Sequence, residues 1–300
     1  MAISRGQLVK ELEPGLNALF GLEYKRYENQ HAEIYTTESS DRAFEEEVML
    51  SGFAQAQTKA EGSGVVFDNA QETFTARYSH ETVALAFAIT EEAIEDNLYD
   101  RLASRYTKAL ARSMANTKQV KAVSTLINGF GTFQSGDGVS LFNTAHPTIS
   151  GTVSNTLATA SDLNETSLEQ SLIDIAAMTD ERGLKIAARG VKMIIPSELQ
   201  FTAERLMKTQ GRVGTADNDI NAIVSMGMIP QGYRVNNFLT DTDAFYIITD
   251  VPNGMKYFER SPIKTAMEGD FDTGNVRYKA RERYSFGVSD FRGIFASPGA

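Results

Sequence analysis

Residues 52–89 alternate large apolar side chains with small or polar ones at a period of two. The clearest stretch consists of Val83, Leu85, Phe87 and Ile89, which are separated by single alanines. Such alternation is typical of β-strands. Gly62 and Gly64 interrupt the middle, and the flanking segments carry too few large apolar residues for a hairpin with its own compact core. We therefore predict a long hairpin that reaches away from the main body.

The strongest helical pattern of the chain begins at Thr90 and ends before Gly129. Apolar residues recur there every four positions and then continue with a slightly different spacing: Ile94, Leu98, Leu102, Tyr106, Leu110, Met114, Val120, Val123 and Ile127. Acids in the first turn, among them Glu91, favour a helix start. At 1.5 Å per residue, positions 90–128 would span roughly 58 Å. We predict one long helix that lies across a large sheet and buries this stripe.

The first 47 residues are more polar. Five apolar residues (Leu8, Leu12, Leu16, Leu19 and Phe20) have helical spacing, which predicts a short helix near 6–20 despite Pro14. Residues 24–48 are too polar to build a core of their own. We expect this arm to lie on something else, and a neighbouring subunit is the expected support.

Residues 140–250 alternate helical and strand patterns, as in a compact α/β unit. The predicted elements are a helix at 166–182 with a capping box of Thr166 and Glu169, a strand at 191–196, a helix from Ser197 to about Gln210, a loop at 211–221, and strands at 233–237 and 244–249. Gly183 is expected to end the first helix. From Lys256 onward, aromatic-rich strands separated by turn residues dominate.

Composition narrows the function. The chain has 29 Lys and Arg against 39 Asp and Glu, a formal charge of −10, which disfavours a protein dedicated to gripping phosphates. The absence of Cys excludes disulfides, thiolate metal sites and cysteine nucleophiles. The N-terminus has charges where a signal peptide needs an apolar core, and the uncharged stretch at 138–161 is rich in Ser, Thr and Gly. We expect a soluble protein that is not exported by a signal peptide.

The three histidines, His31, His80 and His146, do not form a recognisable catalytic or metal-binding motif. Neither His80 nor His146 has another His four positions on, and no G-x-S-x-G or phosphate-loop motif occurs. We interpret His146, which precedes Pro147, as a loop residue that bonds the backbone, and His80 as a cross-strand or interface hydrogen-bonding residue.

Acidic clusters are interpreted as turns and solvated faces. Asp270, Asp272 and Gly274 resemble a calcium loop, but the Gly is at the fifth position and Arg281 replaces the bidentate Glu. The other two clusters are Glu45, Glu46 and Glu47, and Asp241 with Asp243. We predict no catalytic, cofactor-binding or metal-binding residues, no cofactor and no enzymatic activity.

One basic and aromatic run near the C-terminus is compatible with stacking on bases and contacting phosphates: Arg277, Tyr278, Lys279, Arg281, Arg283 and Tyr284. Glu282 and Asp290 dilute its charge. Ion pairs between subunits on a sheet are the favoured interpretation, given the total charge.

The order of these elements resembles the major capsid protein of tailed bacteriophages, which has the Hong Kong 97 type fold. The string FDNAQETFTARYSHETVALAFAITEEAIEDNLYD, residues 67–100, is similar to the strand that runs into the long helix of Mu-like major head subunits. DGVSLFNTAHP, residues 137–147, is similar to a loop of the same group. The resemblance covers nearly the whole chain.

The resemblance implies an α+β chain with five regions. These are an N-terminal arm (1–47), an extended loop or β-hairpin (48–89), a peripheral domain with the spine helix (90–139), an axial domain (140–250) and the return strands of the peripheral domain (251–300). It also implies hexamers and pentamers that tile an icosahedral shell around double-stranded DNA in the virion, assembled in the host cytoplasm. A cargo-enclosing bacterial nanocompartment shell, similar in fold, is the alternative.

The resemblance further implies a portal and decoration proteins as partners, non-specific contact with packaged DNA, and no membrane. Some relatives begin with a long charged helical scaffolding segment, which this sequence lacks, so we expect a separate scaffolding protein or a segment outside this sequence. Some members of the fold also join a lysine of the extended loop to an asparagine of a neighbour. Lys59, the one lysine between Lys25 and Lys108, stands among small polar residues beside Glu61. Solvation there favours a charged, unreactive ammonium, and we predict no cross-link.

Overall fold

A computed structural model describes residues 5–90, 92–93, 99–211, 219–270 and 274–300. The helices are α1 (Arg5–Arg26), α2 (Tyr99–Ile127), α3 (Glu165–Ala177), α4 (Gln200–Lys208) and α5 (Ala222–Met226). The strands are β1 (Thr36–Ser39), β2 (Phe44–Leu50), β3 (Glu72–Ser79), β4 (Glu81–Ile89), β5 (His146–Thr148), β6 (Gly151–Val153), β7 (Gly190–Ile195), β8 (Tyr233–Val235), β9 (Phe245–Thr249), β10 (Met255–Gly269), β11 (Val276–Val288) and β12 (Ile294–Ser297). Short 3₁₀ turns occupy Gln30–Glu33, Asn128–Phe130, Ser197–Leu199 and Phe291–Gly293.

Four strands form the first sheet in the order β1-β10-β11-β4. The strands β10 and β11 form a long antiparallel hairpin, β4 pairs antiparallel with β11, and β1 pairs parallel with β10. The helices α1 and α2 pack on one face of this sheet, where Leu16 and Phe20 of α1 meet Leu110 and Met114 of α2 over Tyr278 of β11. A helical layer on a sheet buries the apolar faces of both.

The long helix is confirmed over 99–127, whereas residues 94–98 of the predicted stripe lie outside the described residues. Leu110, Met114 and Val123 are buried as expected. Tyr106 and Val120 are half exposed, so the prediction that they are buried was wrong. A four-residue spacing drifts by about 40° per step on a helix with 3.6 residues per turn. The buried face of α2 therefore includes small residues such as Ala111 and Ala122, which a pattern of large apolar side chains does not reveal.

The N-terminal arm packs on its own subunit, and the expected support by a neighbour stays a prediction. Its helix extends to Arg26 and includes Pro14. Beyond the helix, Ile34 and Tyr35 are buried in the main core, and the Tyr35 hydroxyl donates to the carbonyl oxygen of Ala122 at 2.7 Å. Strand β1 then pairs with β10 in the first sheet. The few apolar residues of the arm suffice because the spine helix and the first sheet supply the remaining surface.

The predicted hairpin of residues 52–89 is divided between two sheets. Strand β3 pairs antiparallel with β2, which precedes the predicted segment, and the loop 51–71 joins them. Strand β4 turns back at His80 and joins β11 in the first sheet instead. The strand prediction is confirmed for Glu72–Ser79 and Glu81–Ile89, whereas residues 52–71 form a loop, and the hairpin partner of β3 is β2.

A second sheet, ordered β12-β9-β7-β8, carries α3, α4 and α5. The strands at 190–195 and 245–249 are confirmed. The capping box of α3 is formed by Asn164 and Ser167 rather than Thr166 and Glu169, and the helix ends at Ala177, five residues before the predicted end. Helix α4 begins at Gln200, after a 3₁₀ turn at Ser197–Leu199, and ends at Lys208, close to the predicted end. The predicted loop at 211–221 lies largely outside the described residues.

The last strand lies outside the first sheet. Strand β12 pairs with β9, so the chain ends in the second sheet. One buried cluster contains Tyr257 and Tyr284 of the first sheet together with Phe245, Ile247 and Phe295 of the second. The two sheets therefore share a continuous core.

Candidate assembly surfaces

The loop 51–71 between β2 and β3 is the most exposed segment that the structure describes. Ser51 and Gln71 close its base, where the Ser51 N–H donates to the Gln71 carbonyl at 2.8 Å. The Asp68 carboxylate accepts from the Ala54 N–H at 2.7 Å and from the Asn69 N–H at 2.9 Å. These two hydrogen bonds from the backbone lower the pKa of Asp68. Between Gln55 and Phe67, the hydrogen bonds of the loop are local, such as Ser63 to Ala60.

Apolar side chains in this loop face solvent. Phe53, Val65, Val66 and Phe67 are between 60% and 93% exposed, and Phe67 is the most exposed. A contiguous group of exposed large apolar residues marks an interaction surface in soluble proteins. The loop therefore has the composition of a segment that is buried against another molecule.

A network of polar side chains holds the base of this hairpin to the first sheet. Lys256 of β10 pairs with Glu47 of β2 and, at 3.0 Å, with Glu38 of β1. The same Glu47 accepts from the Ser289 hydroxyl, which also bonds Tyr78 of β3. Burial alone would lower the pKa of Lys256, but the hydrogen bonds to Glu47 and Glu38 outweigh it and raise the pKa. The hairpin is therefore fixed at its base, while between Gln55 and Phe67 it makes only local hydrogen bonds within the part of the chain that the structure describes.

Close packing at Tyr78 also fixes the hairpin. The ring meets Phe258 edge-on with the centroids 4.7 Å apart. A Cβ atom at Gly287 would lie 2.6 Å from the Tyr78 ring, so this position of β11 requires glycine. Burial raises the pKa of Tyr78, which keeps its hydroxyl protonated as a hydrogen-bond donor.

The structure places the three histidines apart, each in a different polar contact. His80 bonds the hydroxyls of Ser40 and Ser285 at 2.8 and 3.0 Å, which confirms the interpretation as a cross-strand bonding residue. Burial, together with the positive charge of Arg283, lowers its pKa. His31 is buried beside Gln119, and burial and the nearby Lys118 lower its pKa to about 4.

His146 is fully buried in a polar cluster that fixes the loop 135–155. One ring nitrogen bonds the Asp137 carboxylate at 2.5 Å, and the other lies 3.0 Å from Asn155 and 3.2 Å from the Leu141 carbonyl. The ring stacks on Phe291 with the centroids 3.8 Å apart. Burial alone would raise the pKa of Asp137, but the bonds from His146 and Ser135 lower it. The predicted bond to the backbone is confirmed by the Leu141 carbonyl, but His146 is the first residue of β5 rather than a loop residue.

Two of the acidic clusters lie in turns as expected, whereas the third lies on β2, where Glu47 bonds the buried Lys256 instead of facing solvent. Asp270 bonds Arg277 in the turn between β10 and β11, which confirms the strand-connecting turn, while Asp272 lies outside the described residues. Asp241 and Asp243 share a turn, where burial and a hydrogen bond from Asp243 raise the pKa of Asp241. Of the three acids on β2, Glu45 bonds Ser40 and Glu46 pairs with Arg77. No group of three or more potential metal ligands occurs in the described part of the chain.

The basic and aromatic run of β11 is split between the two faces of the sheet. Tyr278 and Tyr284 are buried, on the side of the helices, and cannot stack on bases. Lys279 and Arg281 lie on the opposite, exposed face, because side chains alternate along a strand. Arg281 stands directly across from Lys264 of β10.

A buried ion pair that the sequence did not predict joins α2 to β11. Lys118 Nζ lies 2.6 Å from Glu282 Oε2, with side-chain exposures of 9% and 1%. The Tyr24 hydroxyl of α1 donates to the same carboxylate at 3.1 Å. Burial raises the pKa of Glu282 despite the lowering effect of Lys118. The signal in the sequence is that both residues stand in phase with buried neighbours.

None of the helices in the described residues has the length and apolarity that a membrane span requires.

A model of a family described as phage capsid protein matches residues 72–297. Comparison with curated protein sequences gives no match.

Solved capsid structures share the fold at low sequence identity. The capsid of Myoviridae phage XM1 has a TM-score of 0.55 at 10% identity, with 89% of each chain covered. The virus-like particle from Pyrococcus furiosus has a TM-score of 0.53 at 10% identity, covering 94% of this chain and 97% of that chain. The procapsid of bacteriophage JBD30 has a TM-score of 0.52 at 16% identity, covering 98% and 76%. With the family match over three quarters of its length, the chain belongs to the phage capsid protein family and is a structural major capsid protein with the Hong Kong 97 type fold.

Proposed function

We propose that this major capsid protein assembles into hexamers and pentamers that tile the icosahedral head shell of a tailed bacteriophage and enclose double-stranded DNA. The observation that carries the proposal is the loop 51–71, which is fixed at its base and exposes the apolar side chains of Phe53, Val65, Val66 and Phe67. In a closed shell, the same loop of every copy lies over a neighbour. Symmetric contacts of this kind repeat until the assembly closes.

The five regions expected from the resemblance serve this assembly. The arm and the extended loop are peripheral, and residues 140–250 form the axial domain around which each capsomer is centred. A separate scaffolding protein, a portal and decoration proteins complete the particle, which is assembled in the host cytoplasm. The shell has no enzymatic activity in this proposal.

Deletion of Ala56–Phe67 tests the proposal. The deleted residues are all exposed and contribute no buried side chain, so the subunit should keep its circular dichroism spectrum and its unfolding midpoint. Shells should be absent from electron micrographs of the variant. The Lys59→Ala variant, which changes one exposed residue in the same segment, serves as the control and should assemble normally. Normal shells from the deletion variant would contradict the role of the loop.

The alternative, a nanocompartment shell that encloses protein cargo, shares the fold, which the virus-like particle from Pyrococcus furiosus also has. Nuclease treatment of native particles separates the two. Protected genome-length double-stranded DNA supports the phage head, and particles that hold protein without DNA support the nanocompartment.

A further inference from the structure

The charge of the spine helix α2 is opposite to that of the whole chain. Between Tyr99 and Ile127 the helix carries six basic residues and one acid, Asp100, whereas the chain as a whole has a formal charge of −10. Two of the bases are paired within the subunit, Lys118 with Glu282 and Lys121 with Glu81.

Three of the remaining bases form an exposed row. Arg105, Lys108 and Arg112 lie within about 60° of one another around the helix axis, because each residue advances 100°. All three are exposed, and none forms an ion pair with an acid of the described residues. The Arg112 Nε donates to the Tyr27 hydroxyl at 2.6 Å, which orients the guanidinium and leaves its other N–H groups outward.

This row points away from the first sheet. The buried side of α2, with Leu110 and Met114, packs on the first sheet, and the row is centred roughly half a turn from it. Like charges three and four positions apart on a helix destabilise it unless an anion lies between them. A polyanion that lies along the helix removes this repulsion.

We propose that Arg105, Lys108 and Arg112 bind the phosphate backbone of the double-stranded DNA enclosed by the shell. The inference rests on the proposed function, since it names the surface of the shell protein that contacts the DNA. The row spans about 10 Å along α2, and one strand of B-DNA presents a phosphate every ~3.4 Å of helix axis, so three cations match about three phosphates. Contacts to phosphates alone are independent of sequence, as packaging of a whole genome requires.

The exposed face of the first sheet supplies a matched control. Lys264, Lys279 and Arg281 form an equally charged triplet on the side of the sheet that faces away from α2, and none of them has an acidic partner among the described residues. Replacing either triplet by Gln removes the same three charges from an exposed surface. Gln has nearly the helix propensity of Lys and Arg, so the α2 variant should fold normally.

The experiment measures binding of a fluorescent 30-base-pair duplex to the purified, unassembled full-length protein at several salt concentrations. For Arg105→Gln/Lys108→Gln/Arg112→Gln, we expect the affinity at low salt to fall by about tenfold or more. The slope of log K against log salt should become shallower by roughly 2.7, the value for three phosphate contacts. The Lys264→Gln/Lys279→Gln/Arg281→Gln control should retain most of the affinity at low salt and most of the salt slope.

Three results would overturn the inference: equal losses in both variants, an unchanged salt slope in the α2 variant, or no binding by the unaltered protein. A poly-glutamate of equal charge is the second probe. If it binds through the α2 row and the duplex does not, the row accepts an acidic protein segment instead. Electron microscopy of DNA-free assembly, which both variants should complete, reports separately on shell formation, so failure of the proposed function is distinguishable from failure of this inference.

Discussion

The ion pair of Lys118 and Glu282 provides the sharpest test of how the spine helix is joined to the sheet. Replacing Lys118 by Met keeps the volume of the aliphatic stem and removes the charge. Glu282 then remains 1% exposed without its cation, 2.6 Å from where the ammonium stood. Breaking a buried pair by removing one partner costs about 3–5 kcal/mol of unfolding free energy.

The control lies three residues further along the same helix. Lys121 pairs with Glu81, but the side chains are 38% and 64% exposed. An exposed pair contributes about 0–1 kcal/mol, so Lys121→Met should be nearly neutral. The double variant Lys118→Met/Glu282→Leu removes both buried charges and should recover most of the stability lost in the single variant.

The loss should also depend on pH. Burial raises the pKa of Glu282 in the folded chain, and removal of Lys118 takes away the main effect that lowers it. A carboxyl with a raised folded-state pKa favours folding when protonated, and this contribution is lost as the pH rises through that pKa. The destabilisation of Lys118→Met should therefore be smaller at pH 5 than at pH 8.

Urea unfolding of the unassembled subunit, followed by far-ultraviolet circular dichroism because the chain has no Trp, measures these differences. A loss below about 1 kcal/mol for Lys118→Met, or a double variant as unstable as the single one, would refute the account of a desolvated pair.

Two further predictions concern the spine and the loop. Leu110 is 4% exposed against Phe20 and Tyr278, so Leu110→Asp should destabilise the subunit by more than about 3 kcal/mol and abolish soluble particles, and particles at normal yield would mean that this face is not buried. Lys59 is exposed in the loop and has no ion pair among the described residues, so particles boiled in detergent should run as a single band near 32.9 kDa. A ladder of multimers that disappears in Lys59→Ala would disprove the absence of cross-links.

The sequence predicts those elements whose periodicity is carried by large apolar residues. The apolar stripe of α3, with Leu168, Leu172 and Ile175, is buried in full, as is Met178 directly after the helix. The predicted buried face of α2 was partly wrong, because many of the residues on the actual buried face are small, such as Ala111, and contribute little to a hydrophobic pattern. Alternation in 81–89 predicts a strand but not its partner, since pairing depends on residues nearly 200 positions away.

The candidate surfaces follow the same rule. The exposed loop was predictable, because its segment lacks the apolar residues of a core. The support of the arm by its own subunit was not, because Tyr35 and Ala122 meet only after the spine helix has packed on the sheet. The basic row of α2 was not predicted, because the helical pattern of the apolar residues contains no information on charge and the total charge of the chain is acidic.

Assembly of the purified protein tests the central claim most directly. Size-exclusion chromatography with light scattering, followed by electron microscopy of the eluted peak, should show hexamer-sized capsomers or closed icosahedral shells. A fully folded chain that stays monomeric at high concentration, with the mass of a single 32.9 kDa subunit, would contradict the assignment of the exposed loop as an assembly surface.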